Sequence, residues 1–416
     1  MTNSTTDIYQ TKRGILSYAD KLANGFGKVK RKFIADMIYG IITSGSTKLS
    51  DISDSLKEPI NKKNTIDRLS RHLSEGVISD MYRNYIKTIR PLIPDTPVVL
   101  VDDTDIIKPY GKKFENLGTV RDGSSPKNSY EKGYYCTEMV VLSKAQKHPI
   151  SLFSHIHSSH EKDYKSANTV TYTGITQCIK AIGKRATFVF DRGYDANQTF
   201  LFMDKAEQDY IIRITAKRKI FYKGKWLSAP TLAASRKGKF KTTVLFQGEE
   251  KECYVSHINA QITASKKPIR IILVYGLSDK PLMLAKNKHI NGKDNVVAVL
   301  RTYLSRWRIK EYFRLKKQAF SFEDFRVRSL KSSNALNQLL SCCIALLAII
   351  KSKADTSIVK SKVLENARAL RKNVLFEYYR IAKGLMVLMK EAKVGIRKWF
   401  KPIIPNSGQY RMSLRM

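Results

Sequence analysis

Acidic residues are scarce in this chain. Its 416 residues hold 36 Asp and Glu against 75 Lys and Arg, a formal net charge of +39. A compact protein so positive repels itself, a cost usually tolerated where the partner is a polyanion. That balance argues against a small-metabolite enzyme. Cysteine is sparse too: Cys136, Cys178, Cys253, Cys342 and Cys343, with no Cys-x2-Cys pair. This speaks against a zinc ribbon or a disulfide framework and for a reducing, cytoplasmic setting. Long apolar runs are missing. The longest, Leu339 to Ile350, is about a dozen residues where a membrane span needs about 20, so it reads as a buried helix and no membrane partner is expected. Met1 to Asp20 is polar, so no signal peptide is expected.

What is present is enough apolar material for a real core, 43% of residues, in a chain whose length suggests two to three domains. The excess positive charge is spread: net +6 over residues 1–95, +14 over 96–300 and +19 over 301–416. That distribution fits a long nucleic acid lying across much of the molecule better than a single basic tail. Each phosphate contact would release roughly one counterion and make affinity salt-sensitive.

Periodicity places helices across residues 8–90, with Phe33, Ile34, Met37, Ile38 and Ile41 at helical spacing and further segments at 51–56, 64–73 and 77–89. After Pro91, Pro94 and Pro97 the period changes. Strands are expected at 98–101, 134–142, 150–156, 187–190 and 210–214, and helices over 167–182 and 196–205. The order βββαβαβ predicts a mixed sheet with helices on its faces. Short strands between 221 and 274 form a β-rich insertion, whose last strand is a candidate to rejoin the main sheet. A strand at 281–285 and helices at 296–319, 336–351, 363–369 and 376–390 complete the chain.

In so basic a protein the carboxylates at strand ends stand out. Asp102, Asp103 and Asp105 follow the run Val98 to Val101, where the chain is expected to turn; Asp191 ends the run Thr187 to Phe190. Two carboxylates on neighbouring strand ends suit a hard divalent cation such as Mg²⁺. Two such ions about 4 Å apart can activate a water or 3′-hydroxyl and stabilise the leaving oxygen of a phosphodiester. A third carboxylate normally completes the set. Taken singly, each Asp serves equally well as a turn or helix-capping residue. Tyr303, Arg306, Lys310, Phe313 and Lys317 then share roughly one face of a helix. That stripe suits a phosphate backbone, or is an ordinary solvated basic face. Trp307 stacks on a base or, as aromatics at helical spacing usually do, anchors the helix in the core.

In order and spacing these elements resemble the DDE transposases of the IS-four type, the bacterial cut-and-paste insertion-sequence class. Asp102-Asp103-Thr104 is similar to the Asp-x-Thr after that family's first catalytic strand. Asp191-Arg192 is similar to its second motif, and Tyr303, Arg306 and Lys317 fall at the spacing of its helical signature. The resemblance implies an α/β fold: a ribonuclease H-like mixed-sheet core with a β-rich insertion, flanked by helical N- and C-terminal regions. The implied domains are a helical DNA-binding part over 1–95, core over 96–215, insertion over 216–280, core with the catalytic helix over 281–330, and a basic helical region over 331–416. The implied chemistry is metal-dependent hydrolysis at transposon ends, then strand transfer of the freed 3′-hydroxyl into target DNA. Mg²⁺, for which Mn²⁺ substitutes, would be held by Asp102, Asp191 and a third carboxylate, with Asp103 and Asp105 in reserve. Tyr303, Arg306, Lys317, Arg192 and Trp307 would contact double-stranded DNA, both inverted repeats and target. A homodimer on paired ends, joined through the last helices and working on the bacterial nucleoid, is implied as well.

One position departs from the pattern. Where the signature has its Glu, this chain has Lys310, and a carboxylate follows at Glu311. One residue is about 100° around a helix and about 1.5 Å along it. Either Glu311 is the third ligand after a small rotation of the helix, which is the favoured reading, or the chain has lost a ligand and binds ends as a non-cutting protein or repressor. His155, His157 and His160 lack further ligands at zinc spacing.

Overall fold

The structure, a computed structural model, describes residues 4–123, 125, 129–144, 147–353, 358–367, 376–392 and 395–396. Five helices open the chain: α1 (Ser4–Leu22), α2 (Lys28–Ser44), α3 (Leu49–Leu56), α4 (Lys62–Ser74) and α5 (Ser79–Ile89). In α2 the spaced apolar residues from Phe33 to Ile41 are all buried. Gly45 ends the helix at φ 64°, a left-handed conformation glycine adopts without strain.

The β-branched run at Val98 opens strand β1 (Val98–Ile107), which does not turn at Asp102 as its apolar residues alone suggested. It pairs antiparallel with β3 (Tyr130–Leu142) from Val99↔Val141 to Ile107↔Gly133. Asp102, Asp103 and Asp105 therefore lie inside a strand. Cross-strand bonding to the long β3 overrides the poor strand propensity of Asp.

β2 (Gly118–Arg121) and β4 (Pro149–His157) both pair with β3, followed by α6 (Ala167–Ile182), β5 (Thr187–Phe190), α7 (Asn197–Lys205) and β6 (Asp209–Arg213). The sheet runs β4-β3-β1-β5-β6, with β3 antiparallel to its neighbours and β1, β5 and β6 parallel. Leaving β2 aside, the order is third, second, first, fourth, fifth strand, the topology of a ribonuclease H-like core. Helix α6 lies close on this sheet because it presents Gly174, where an added Cβ would stand 2.6 Å from Phe153 Cδ1.

The β-rich insertion comprises β7 (Lys219–Tyr222), β8 (Lys225–Ser228), the short α8 (Ala229–Ala234), β9 (Phe240–Phe246), β10 (Glu249–Ile262) and β11 (Ser265–Tyr275). It extends the main sheet. β11 pairs with β12 (Leu282–Lys286), which pairs with β6, giving one twelve-stranded sheet.

The helix expected over 296–319 is broken at Ser305–Arg306 into α9 (Gly292–Leu304) and α10 (Trp307–Arg314), and it ends in a π-helical turn, Leu315–Ala319. Then come α11 (Leu330–Ser352), α12 (Ile358–Glu365) and α13 (Tyr378–Lys390). By length and composition α11 could cross a membrane, yet most of it is packed inside the protein. It touches β4, α2, α4 and α13, so helices from both ends of the chain form one body against the sheet. Expected features at 368–375 and 397–416 lie outside the described residues.

The open edge of β4 is closed by side chains. Tyr85 and Tyr82 donate to the Ser151 and Leu152 carbonyls at 2.7 and 2.8 Å. The Asn334 amide from α11 donates to the Ile156 carbonyl and accepts from its N–H, at 2.9 and 2.8 Å. An exposed strand edge would otherwise invite pairing with another chain.

Candidate functional site

The site grows from the parallel pairing of β1 and β5. Val98, Val99 and Leu100 stand opposite Thr187, Phe188 and Val189. Carrying that register two residues further sets Asp102, midway along β1, opposite Asp191, which follows the carboxyl end of β5, the end of a sheet where α/β folds commonly bind ligands. Asp102 is buried and Asp191 is partly exposed.

Helices α9 and α10 lie over these aspartates, and their aromatic–basic stripe faces the carboxylates. Tyr303 OH donates to Asp191 Oδ1 at 3.4 Å. Arg306, buried at the break between the helices, donates from Nη1 to Asp102 Oδ2 at 2.9 Å, while its Nη2 stands 3.7 Å from Asp191 Oδ2. Lys310 Nζ lies 2.9 Å from the same Asp102 oxygen. Lys317 Nζ lies 3.2 Å from both Asp105 Oδ2 and Glu323 Oε1. Burial works against the charge of Arg306, but Asp191 and Asp102 outweigh it and raise its pKa. Burial raises the pKa of the Tyr303 hydroxyl.

The other proposed residues are placed differently. Asp103 accepts from Thr137 Oγ1 at 2.6 Å and from Tyr194 OH at 3.0 Å. Enclosure of its carboxyl, with Asp102 adjacent, raises its pKa against the lowering effect of those two hydrogen bonds. Arg192 is exposed beside Asp191. Trp307 is 50% exposed, with the Arg306 guanidinium 5.8 Å from its ring, so it is not the core anchor that helical spacing suggested. Glu311 is not brought to the two aspartates: the step around α10 turns it to Arg314, Nη1 to Oε1 3.0 Å, while Lys310 points at Asp102.

Several contributors were missed in the sequence. Tyr194 directly follows the Asp191-Arg192-Gly193 segment and could have been suspected there. Arg213, 4.0 Å from Asp191 Oδ1, and Thr137 carry no sequence signal. Nor does the pair beneath the site. Glu138, opposite Asp102 on β3 and fully buried, is bound by Lys316 Nζ at 2.8 Å. Lys316 also reaches Asn337 Oδ1 at 2.7 Å and Ser154 Oγ at 3.1 Å, so the π-helical turn is fastened to the sheet and to α11.

The donor set can be tested against a divalent ion. Such an ion needs several free oxygen ligands at about 2.1 Å. Here one oxygen of Asp102 is shared by two cationic donors, an ammonium stands where the third carboxylate is expected, and the neighbouring Glu is paired elsewhere. Among the described residues no three His, Cys, Asp or Glu side chains are grouped to hold a metal ion. These residues do not fit the ion.

A family model described as the transposase DDE domain matches residues 93–347. A piggyBac transposase synaptic complex with hairpin DNA, solved by cryo-electron microscopy, is 9% identical, with 97% of this chain and 82% of that chain covered and a TM-score of 0.45. The NurA nuclease from Sulfolobus solfataricus is 8% identical over 69% of this chain and 94% of that chain, with a TM-score of 0.29. Neither overlap is close, and no curated protein matches significantly. With well over half its length matched and two aspartates opposite each other on adjacent parallel strands, the chain belongs to the DDE transposase domain family.

Proposed function

We propose that this chain is an end-binding DNA protein of the transposase class that does not cut. It would bind double-stranded transposon ends across the face that carries Asp102 and Asp191. The observation that carries this reading is the Lys310 ammonium 2.9 Å from Asp102 Oδ2, with Glu311 turned to Arg314. DNA binding is supported by the net charge of +39 and by exposed Arg192 and half-exposed Trp307 at the rim of the site. Tyr303, Arg306 and Lys317 then shape that face from within, each held on a carboxylate. A protein that occupies ends without cutting would repress transposition by an active relative. Paired ends call for two copies, and we place their contact in the C-terminal helices.

A second reading is favoured by the survival of Asp102 and Asp191 side by side. In it Asp102, Asp191 and an inward-turned Glu311 would hold Mg²⁺, which would supply the chemistry for hydrolysis at the ends and strand transfer. The two readings separate in one experiment. DNA carrying the inverted repeats that flank the coding sequence is incubated with the protein in Mg²⁺ or Mn²⁺, and both retardation and nicking are scored. Retardation without nicking supports the first; nicking that disappears in Asp191→Ala supports the second.

A further inference from the structure

Two carboxylates on adjacent strands, one buried, repel each other and are stabilised by a cation between them. In the metal-using form of such a site that cation comes from solution. Here the protein supplies it. Arg306 spans the pair, 2.9 Å from Asp102 and 3.7 Å from Asp191. Lys310 adds a second positive charge on Asp102 Oδ2, and Arg213 approaches Asp191 from β6. Of these three, Lys310 alone comes from the position where the family signature has its carboxylate. With Arg306 it occupies the Asp102 oxygen that an ion would need. A metal bonded to Asp102 at about 2.1 Å would lie within a few ångströms of the ammonium, in a partly desolvated setting where like charges repel strongly.

We infer that Lys310 is the resident counter-ion of the aspartate pair, held in place of a divalent metal. The chain therefore engages DNA without metal, and the single exchange Lys310→Glu uncovers a three-carboxylate cation site. A Glu side chain is one atom shorter than Lys, so its oxygens would stop short of Asp102 Oδ2, from which Lys310 Nζ now stands 2.9 Å. It also removes one positive charge and adds one negative charge beside the pair. The inference rests on the reading of the chain as a DNA-binding protein that does not cut, but its test is separate.

The full-length protein is titrated with Mn²⁺, and free Mn²⁺ is followed by its electron paramagnetic resonance signal. Wild type is expected to show no site that depends on Asp102 or Asp191. Lys310→Glu is expected to bind Mn²⁺ at least about tenfold more tightly, an effect of the size that metal-site substitutions produce, and to lose it when Asp102→Asn is added. Lys310→Ala, which removes the ammonium without adding a ligand, should fall between the two. Circular dichroism confirms that each variant is folded, and the wild-type titration stands whatever the variants do. Mn²⁺ binding by wild type that is lost in Asp102→Asn would overturn the inference, as would a folded Lys310→Glu with no gained site. DNA retardation by wild type in EDTA is measured in parallel. Failure to bind DNA at all would overturn the functional reading and leave the ion result standing, whereas retardation that needs Mg²⁺ would overturn the counter-ion role.

Discussion

Lys310 Nζ stands 2.9 Å from Asp102 Oδ2, on the oxygen that also receives Arg306 Nη1. A basic helix thus closes over the carboxylates. Each residue in this closure has a measurable consequence.

Arg306 is buried and is the only described cation that reaches both aspartates within 4.0 Å. Removing one partner of a buried ion pair costs on the order of 3–5 kcal/mol where a lone charge is left; here Lys310 stays on Asp102 and Arg213 near Asp191, so the loss should be smaller. Arg306→Ala is expected to lower the urea midpoint accordingly. Adding Asp102→Asn to it should recover part of the loss, which a double-mutant comparison of unfolding curves measures.

Glu138 and Lys316 make a sharper case, since both side chains are almost fully buried. Lys316→Met alone should cost about 3–5 kcal/mol, while Glu138→Gln with Lys316→Met should cost much less, because no lone charge remains. The Lys316→Met loss should also loosen the π-helical turn. Hydrogen exchange of the Leu315–Ala319 amides would report it.

His157 gives a pH dependence. Burial, with His155 beside it, depresses its pKa from 6.5 to about 4. The folded state holds it neutral while the unfolded chain takes up a proton, so stability falls as pH drops from about 6.5 to about 4. The full effect is on the order of 3 kcal/mol. His157→Gln, which can keep a hydrogen bond to Thr137 Oγ1, should flatten that part of a stability–pH curve. An unchanged slope would remove His157 as its source.

At the rim, Arg192→Ala should weaken DNA binding similarly for all sequences and reduce the slope of log K against log salt by about 1. Trp307→Ala should cost about 1–3 kcal/mol on substrates with an unpaired base, where stacking is available, and little on intact duplex. Fluorescence anisotropy over a salt series measures both.

Much of the fold was legible in the sequence. The spans expected at 167–182 and 187–190 coincide with α6 and β5, because apolar runs there are bounded by a capping Ser166, Gly183 and Asp191. β2, β8 and α8 were missed, being short and only partly buried. The placing of Asp102 beside Asp191 follows from two apolar runs each followed by Asp, and it needed only the parallel register, although β1 itself continues to Ile107. The partners of the basic stripe were not legible: periodicity shows that Tyr303, Arg306, Lys310 and Lys317 share a face but not that acids lie opposite. Lys316 was hidden for a related reason, since a π-helical turn departs from the regular period by which faces are assigned.

The most direct test of a non-cutting end binder is a nicking assay on DNA carrying the flanking inverted repeats, in Mg²⁺, at protein concentrations that fully retard it. We expect wild type to retard the DNA and leave both strands intact. Mg²⁺-dependent nicks made by wild type and abolished by Asp191→Ala would contradict it.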